Sequence, residues 1–277
     1  MIEIKLIIFF LITGGLVWAI KVIVSARRQQ KRRALLSIPF PPEWSAILKE
    51  NLPPYQKIST QLQQQLHEYI RIFISEKSFE GCGGLTLTDE INVTIAAQAC
   101  MLLLNRKCDC YPKLYSVLVY PSTYVVGTRN SLVDLHPTDP SVRLGESWNI
   151  GTVVLAWDSV KRGAVNFRDG HNVAMHEFAH QLDQEDGKAD GAPILEIRSA
   201  YSAWSQVFSK EYELLQHKAI KGKKSVMDKY GATAPAEFFA VATETFFEKP
   251  AQLNKKHPEL YHELQVFYKV NPIEWGS

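Results

Sequence analysis

Residues 171–187 read HNVAMHEFAHQLDQEDG, with two histidines four positions apart and a glutamate directly after the first. On an α-helix this spacing brings His176 and His180 to one face, where both imidazoles can reach a single ion. Glu177 is rotated by about 100° from His176, so it can reach a water on that ion without ligating it. Zinc in such a place lowers the pKa of its water toward ~7, and the carboxylate takes the proton and later delivers it to the leaving amine. Three fixed positions also arise by chance. Against chance, Phe178, Ala179 and Leu182 make the rest of the helix apolar, as expected for a helix lying on a core.

A catalytic zinc needs a third protein ligand and an open position. Asp186 has the metzincin spacing, but Asp183 stands where that pattern requires a turn-making glycine. Asp183, one turn beyond His180, suits a carboxylate that caps or orients a histidine. Glu196 misses the short downstream spacing of thermolysin-like sites. The segment KYGATAPAEFFAVATETFFEKP (229–250) then offers Glu237 and Glu244, seven apart on one helical face. Glu237 follows Pro235 in a first turn, where a carboxylate also answers the helix dipole. Spacing alone favours Glu237, since helix starts are more easily steered into a cleft, but leaves Glu244 open. His171 lies five positions before His176 and faces away from it. His217, His257 and His262 stand among charged residues and are expected to face solvent.

Working outward, the 277 residues are 46% hydrophobic and 22% charged with a net charge of +2, a composition that supports a buried core and gives no basic surface for nucleic acid. From Leu6 to Ala26 the only charge is Lys21. About 20 apolar residues span a bilayer as a helix. Arg27, Arg28, Lys31, Arg32 and Arg33 follow the run, the reverse of a cleaved signal peptide. The expectation is a membrane anchor with its basic stop over 1–33 and a cytoplasmic domain over 34–277. Cys82, Cys100, Cys108 and Cys110 would then remain reduced thiols.

Within the domain, helices are expected over EWSAILKENL (43–52), STQLQQQLHEYIRIFISEKSF (59–79) and TDEINVTIAAQACMLLLN (88–105), the last an apolar core helix with Thr88 as its cap. LYSVLVYPSTYVVG (114–127) reads as strand, turn, strand, and Thr152–Trp157 as a further strand that could form a sheet edge accepting a peptide. The remaining segments are helical. Strands early and helices late indicate an α+β domain, mostly helical with a small sheet.

Five segments, FEGCGGLTLTDEINVTIAAQACMLLLN (79–105), YSVLVYPSTYVV (115–126), GESWNIGTVVLAWDSV (145–160), DGHNVAMHEFAHQLDQEDG (169–187) and YGATAPAEFFAVATETFFEKP (230–250), together resemble the Mlc titration factor A family of bacterial zinc-dependent peptidases. That family's catalytic core is similar to that of anthrax lethal factor. The resemblance runs from about Pro39 to the C-terminus. It implies a gluzincin-type domain with one Zn2+ per chain held by His176, His180 and Glu237, Glu177 as general base, and Tyr230, seven before Glu237, facing the site. A phenol there can donate a hydrogen bond to a developing oxyanion. The resemblance further implies peptide or protein substrates, with aminopeptidase-type activity on small ones, and a glucose-responsive transcription repressor as a regulatory partner. The apolar N-terminus departs from the family's cytosolic members and puts that partner in question. A different class of function is a module that sequesters a transcription regulator around a vestigial or structural zinc site. The intact Glu177 argues against it, because a structural site has no use for a base.

Overall fold

The computed structural model describes residues 2–106, 109–122 and 151–276, with side chains from Thr13 onward. The chain divides into two units, Met1–Phe40 and Pro41–Ser277. The first holds helix α1 (Ile2–Leu36). Among the described residues no helix is long and apolar enough to cross a membrane. Residues 6–12 of the expected anchor lie outside the described side chains.

The second unit begins with α2 (Pro42–Asn51) and α3 (Thr60–Glu76), the latter capped by Ser59, whose hydroxyl accepts from Leu62 N. The helix expected through Phe79 stops at Glu76, and Ser78–Gly81 form strand β1. Contacts distant in sequence cause the switch. The buried Lys77 ammonium donates to Tyr111 O (2.6 Å) and Leu114 O (2.8 Å), and Ser78 N donates to Tyr115 O.

Helix α4 (Asp89–Met101) starts at Thr88, which accepts from Ile91 N as expected. Its body is buried on all sides, packed by α2, α3 and later helices. It also supplies the crossover that parallel strands need, because β1 runs parallel to β2 (Ser116–Tyr120) and β2 parallel to β3 (Thr152–Ala156), in the order β1-β2-β3. Val117, Val119, Val153 and Leu155 point into the core. Among the described residues β3 ends the sheet. The second strand expected in 114–127 lies outside the described residues.

The last strand also stops short of expectation. Trp157 opens α5 (Trp157–Val165). Then come α6 (Val173–Asp183), α7 (Ala200–Ile220), α8 (Pro235–Glu248), α9 (Pro250–Lys256) and α10 (Pro258–Tyr268). Thus a mostly helical domain surrounds a small three-stranded parallel sheet. Helix α6 is fixed from two sides. Its Phe178 ring packs on Phe73 and Tyr111 (centroids 5.6 and 5.3 Å), and α8 lies along the opposite flank. Helix α8 is buried from Phe238 to Glu248, and Trp204 and Phe208 of α7, stacked at 3.9 Å, pack on its phenylalanines.

One glycine sets the approach of these helices. Gly191 has φ +76°, and a Cβ there would lie 2.5 Å from Pro235 O. Its N–H donates to Asp183 Oδ2 (3.0 Å) at the end of α6, and its carbonyl accepts from Trp204 Nε1 (3.1 Å). The chain leaving α6 is thereby pressed against the first turn of α8, where Glu237 stands.

Candidate metal centre

Helix α6 begins at Asn172, whose Oδ1 accepts from Met175 N (3.0 Å). With the helix started there, His176 and His180 stand one turn apart with their rings nearly perpendicular, centroids 4.8 Å and Nε2 atoms 3.2 Å from each other. Glu237 arrives from the first turn of α8. Its Oε2 lies 3.0 Å from His176 Nε2 and 3.4 Å from His180 Nε2. All three ligand atoms fall within 4.8 Å of one another, a cluster that could hold a metal ion.

The three separations test that fit. A tetrahedral ion bonded to nitrogen and oxygen at roughly 2.0–2.1 Å sets ligand-to-ligand edges of about 3.3 Å. The observed edges of 3.0, 3.2 and 3.4 Å bracket this value. The donor set of two imidazoles and a carboxylate also suits zinc. The side chains of His176, His180 and Glu237 are 14%, 12% and 23% exposed, so the cluster is partly open to solvent, as a catalytic site requires and a closed structural site does not.

Charge and burial shape the neighbours. Burial alone raises the Glu237 carboxyl, but hydrogen bonds from His176 and His180 overcome it and hold the group well below the usual carboxylate range. Burial would depress His176, yet hydrogen bonds to Glu237 and Glu244 raise it well above the usual imidazole value. Glu177 is raised by burial against the pull of His176 and His180, and its Oε2 is buried with no hydrogen-bond partner among the described residues. A buried carboxylate oxygen without a donor is costly unless something else occupies it. Tyr230 comes from the 3-10 turn Lys229–Ala232, begun by Asp228 accepting from Tyr230 N (2.7 Å). Its ring centroid stands 6.0 Å from that of His176. Burial, with Glu237 and Glu177 adding negative charge, pushes its phenol up to about 12.

The structure therefore gathers the five residues singled out from sequence, and sorts their rivals. Asp186 is exposed, its carboxylate accepting from Lys188 N in a turn. Among the described residues Asp183 makes no hydrogen bond to a histidine; it caps the Gly191 turn, and burial raises it to about 6. Glu196 is exposed and paired with Lys269. Glu244 does not join the cluster of ligand atoms. It approaches His176 from the far side, Oε1 to Nδ1 at 2.8 Å. His171 is exposed, 3.6 Å from Asp228. His257, expected to face solvent, is only 2% exposed and its Nδ1 meets Glu211 Oε2 at 2.6 Å, a partner supplied by α7 that its own charged neighbours did not reveal. Sequence reasoning missed Glu248, which is buried beside Glu244 and accepts from the backbone ahead of α6. Its signal was present as a third glutamate on the same face of a strongly apolar helix.

A two-helix His, His, Glu cluster beside a buried glutamate is the pattern of a metallopeptidase, and sequence comparison agrees. The sequence profile of the glucose-regulated metallo-peptidase M90 family matches residues 26–269. The chain belongs to this family. It is similar to an uncharacterized protein of Synechocystis sp., 42% identical over 248 residues covering 88% of this chain and 89% of that protein. Proteins named Mlc titration factor A are similar as well. The one from Serratia proteamaculans is 31% identical over 235 residues (83% and 88% covered), and the one from Escherichia fergusonii 29% over 241 residues (84% and 87%). The resemblance noted from sequence motifs is thus a true family relationship.

Proposed function

We propose that the protein is a gluzincin-type zinc peptidase, with zinc held by His176, His180 and Glu237. The observation that carries this reading is the set of edges among the three ligand atoms, close to those of a tetrahedral ion. Bound there, zinc would supply a Lewis acid for the scissile carbonyl and a water of lowered pKa. Glu177 lies on the same helix with a buried, unpartnered oxygen, suited to accept a proton from the attacking water and return it to the leaving amine. Burial raises this carboxyl above its ordinary value, the direction that favours a base able to return its proton. Tyr230, with its phenol protonated across the neutral range, donates a hydrogen bond to the developing oxyanion. The substrate is a peptide or protein chain; β3, at the end of the described sheet, offers main-chain groups to pair with it.

Glu177→Gln tests the reading. The amide keeps the shape but cannot take a proton, so zinc should remain stoichiometric while peptide turnover falls by about 10²-fold or more. Near-normal turnover in a preparation free of wild-type enzyme would refute the mechanism.

The family match begins at residue 26, where the apolar run ends, which supports a separate anchoring role for the preceding residues and a cytoplasmic catalytic domain. Full-length protein should then resist carbonate extraction from membranes, and a chain starting near Ser37 should not need it; release of the full-length protein by carbonate would remove the anchor. The name of the Serratia and Escherichia relatives points to a transcription regulator, Mlc, as the kind of partner this chain could also bind.

A further inference from the structure

Helix α8 carries three glutamates, at 237, 244 and 248, in an otherwise apolar sequence. Steps of seven and eleven residues at about 100° each return to within roughly 20° of the starting direction, so all three carboxylates lie on one stripe facing α6. Glu244 and Glu248 are 6% and 2% exposed. Carboxyl groups are not buried in this way without several hydrogen bonds to hold them; both have them, though burial still outweighs those to Glu248 and raises it to about 8. Glu244 Oε1 meets His176 Nδ1 at 2.8 Å, and its Oε2 accepts from Asn172 N. Glu248 Oε2 accepts from Gly170 N (2.7 Å) and His171 N (3.2 Å), and its Oε1 from Asn172 Nδ2 (3.1 Å). Asn172 is the residue that starts α6, and its Nδ2 also reaches Gly163 O of α5 at 3.2 Å.

We infer that Glu244 and Glu248 are a pair of positioning residues that lock the metal-binding helix α6 to the helix bearing the third ligand. The inference rests on the zinc reading above. By accepting from Nδ1–H, Glu244 selects the tautomer of His176 whose Nε2 lone pair faces the metal, and it holds the ring plane. Among the described residues Glu248 accepts from no histidine side chain. It gathers the three residues that lead into α6, so that the angle at which the helix departs is set by the same α8 stripe that presents Glu237. Rotation of α6 about its axis would break the bonds to Glu244 and Glu248 together, and the ligand edges with them. This is how two helices joined by a long connection keep three donor atoms within the tolerance that a metal site demands.

The test compares Glu244→Gln and Glu248→Gln with Glu211→Gln, a buried carboxylate whose partner is His257. In the first two variants the glutamine retains one acceptor oxygen and turns the other into a donor, facing at least one N–H it cannot satisfy, whereas Glu211→Gln can keep its carbonyl on His257. Zinc affinity, measured by competition with a chromogenic chelator, should fall by roughly 10- to 100-fold in the first two variants. It should be unchanged in Glu211→Gln, even if all three melt at lower temperature. Cobalt-substituted Glu244→Gln should show an altered visible spectrum, a signature of ligand geometry that lost packing alone does not produce. In the metal-free proteins, amide exchange at Gly170, His171 and Asn172 should accelerate in Glu248→Gln. Wild-type affinity and cobalt spectrum in both variants would overturn the inference. If the wild type takes up neither zinc nor cobalt, the peptidase reading fails. The pair is then decided by exchange alone: faster exchange at 170–172 supports the lock, and unchanged protection overturns it.

Discussion

Glu237→Ala separates a metal ligand from a carboxylate that only answers a helix dipole. In the structure Glu237 Oε2 sits 3.0 and 3.4 Å from the two imidazole nitrogens, and truncation leaves two histidines with no carboxylate among the ligand atoms. Structural four-ligand zinc sites bind with about 10–16 kcal/mol, or about 2.5–4 kcal/mol per ligand if shared evenly. At about 1.4 kcal/mol per decade, losing one ligand weakens zinc by roughly 10²–10³-fold. Were Glu237 merely a first-turn carboxylate, the same change would cost only about 0.3–1 kcal/mol of stability and leave metal affinity intact. The assay is zinc content after dialysis against a weak chelator, joined to melting temperature as a function of added zinc. A ligand that binds only the folded state raises the melting temperature with concentration. Wild type should show this rise from low zinc, and Glu237→Ala should show it only at far higher concentrations. Stoichiometric zinc in Glu237→Ala, together with loss of zinc in Asp186→Ala, would refute the reasoning and make the site metzincin-like.

Two other outcomes follow from the same geometry. Tyr230→Phe removes the phenol while keeping a ring 6.0 Å from His176, so zinc content should hold and kcat should fall by about 10²–10³-fold, checked by steady-state turnover of a peptide substrate. Asp183 titrates at about 6 when folded and at its ordinary, lower value when unfolded, so the folded state binds the extra proton between those values. Its stabilising contribution is complete at acid pH and is lost as pH rises through about 6. Melting temperatures of the metal-free protein should therefore show Asp183→Asn gaining on wild type between pH 4 and 7, and parallel curves would remove Asp183 as the cause.

How far the site was legible depended on how local each cause is. His176, Glu177 and His180 belong to one helix, and the period of that helix makes their shared face a property of sequence. Thr88 as a cap and α4 as a buried helix were legible for the same reason. Glu237 needed a second helix to be brought alongside, so spacing left Glu244 as a rival, and the family motif decided between them. Strand β1 was hidden because Lys77 and Ser78 take their partners from residues 111–115, while the local pattern simply continued a helix. His257 looked solvated among its charged neighbours, but its partner Glu211 stands 46 residues earlier on α7.

Glu248 was the hardest to read and is the most informative. Two of its three donors are backbone N–H groups at 170 and 171, which every residue except proline possesses, so no residue type there could signal those contacts. What remained visible was the near end: a third glutamate in line with Glu237 and Glu244 on a helix buried almost throughout. Apolar helices do not retain an aligned row of carboxylates for packing, since each burial is unfavourable until its hydrogen bonds are supplied. Such a row in a sequence therefore predicts an opposing row of donors. In this chain the donors are His176, the helix-starting Asn172 and the backbone ahead of it, so on the proposed reading the stripe on α8 marks both the cluster that could hold the metal and the bonds that keep its members in place.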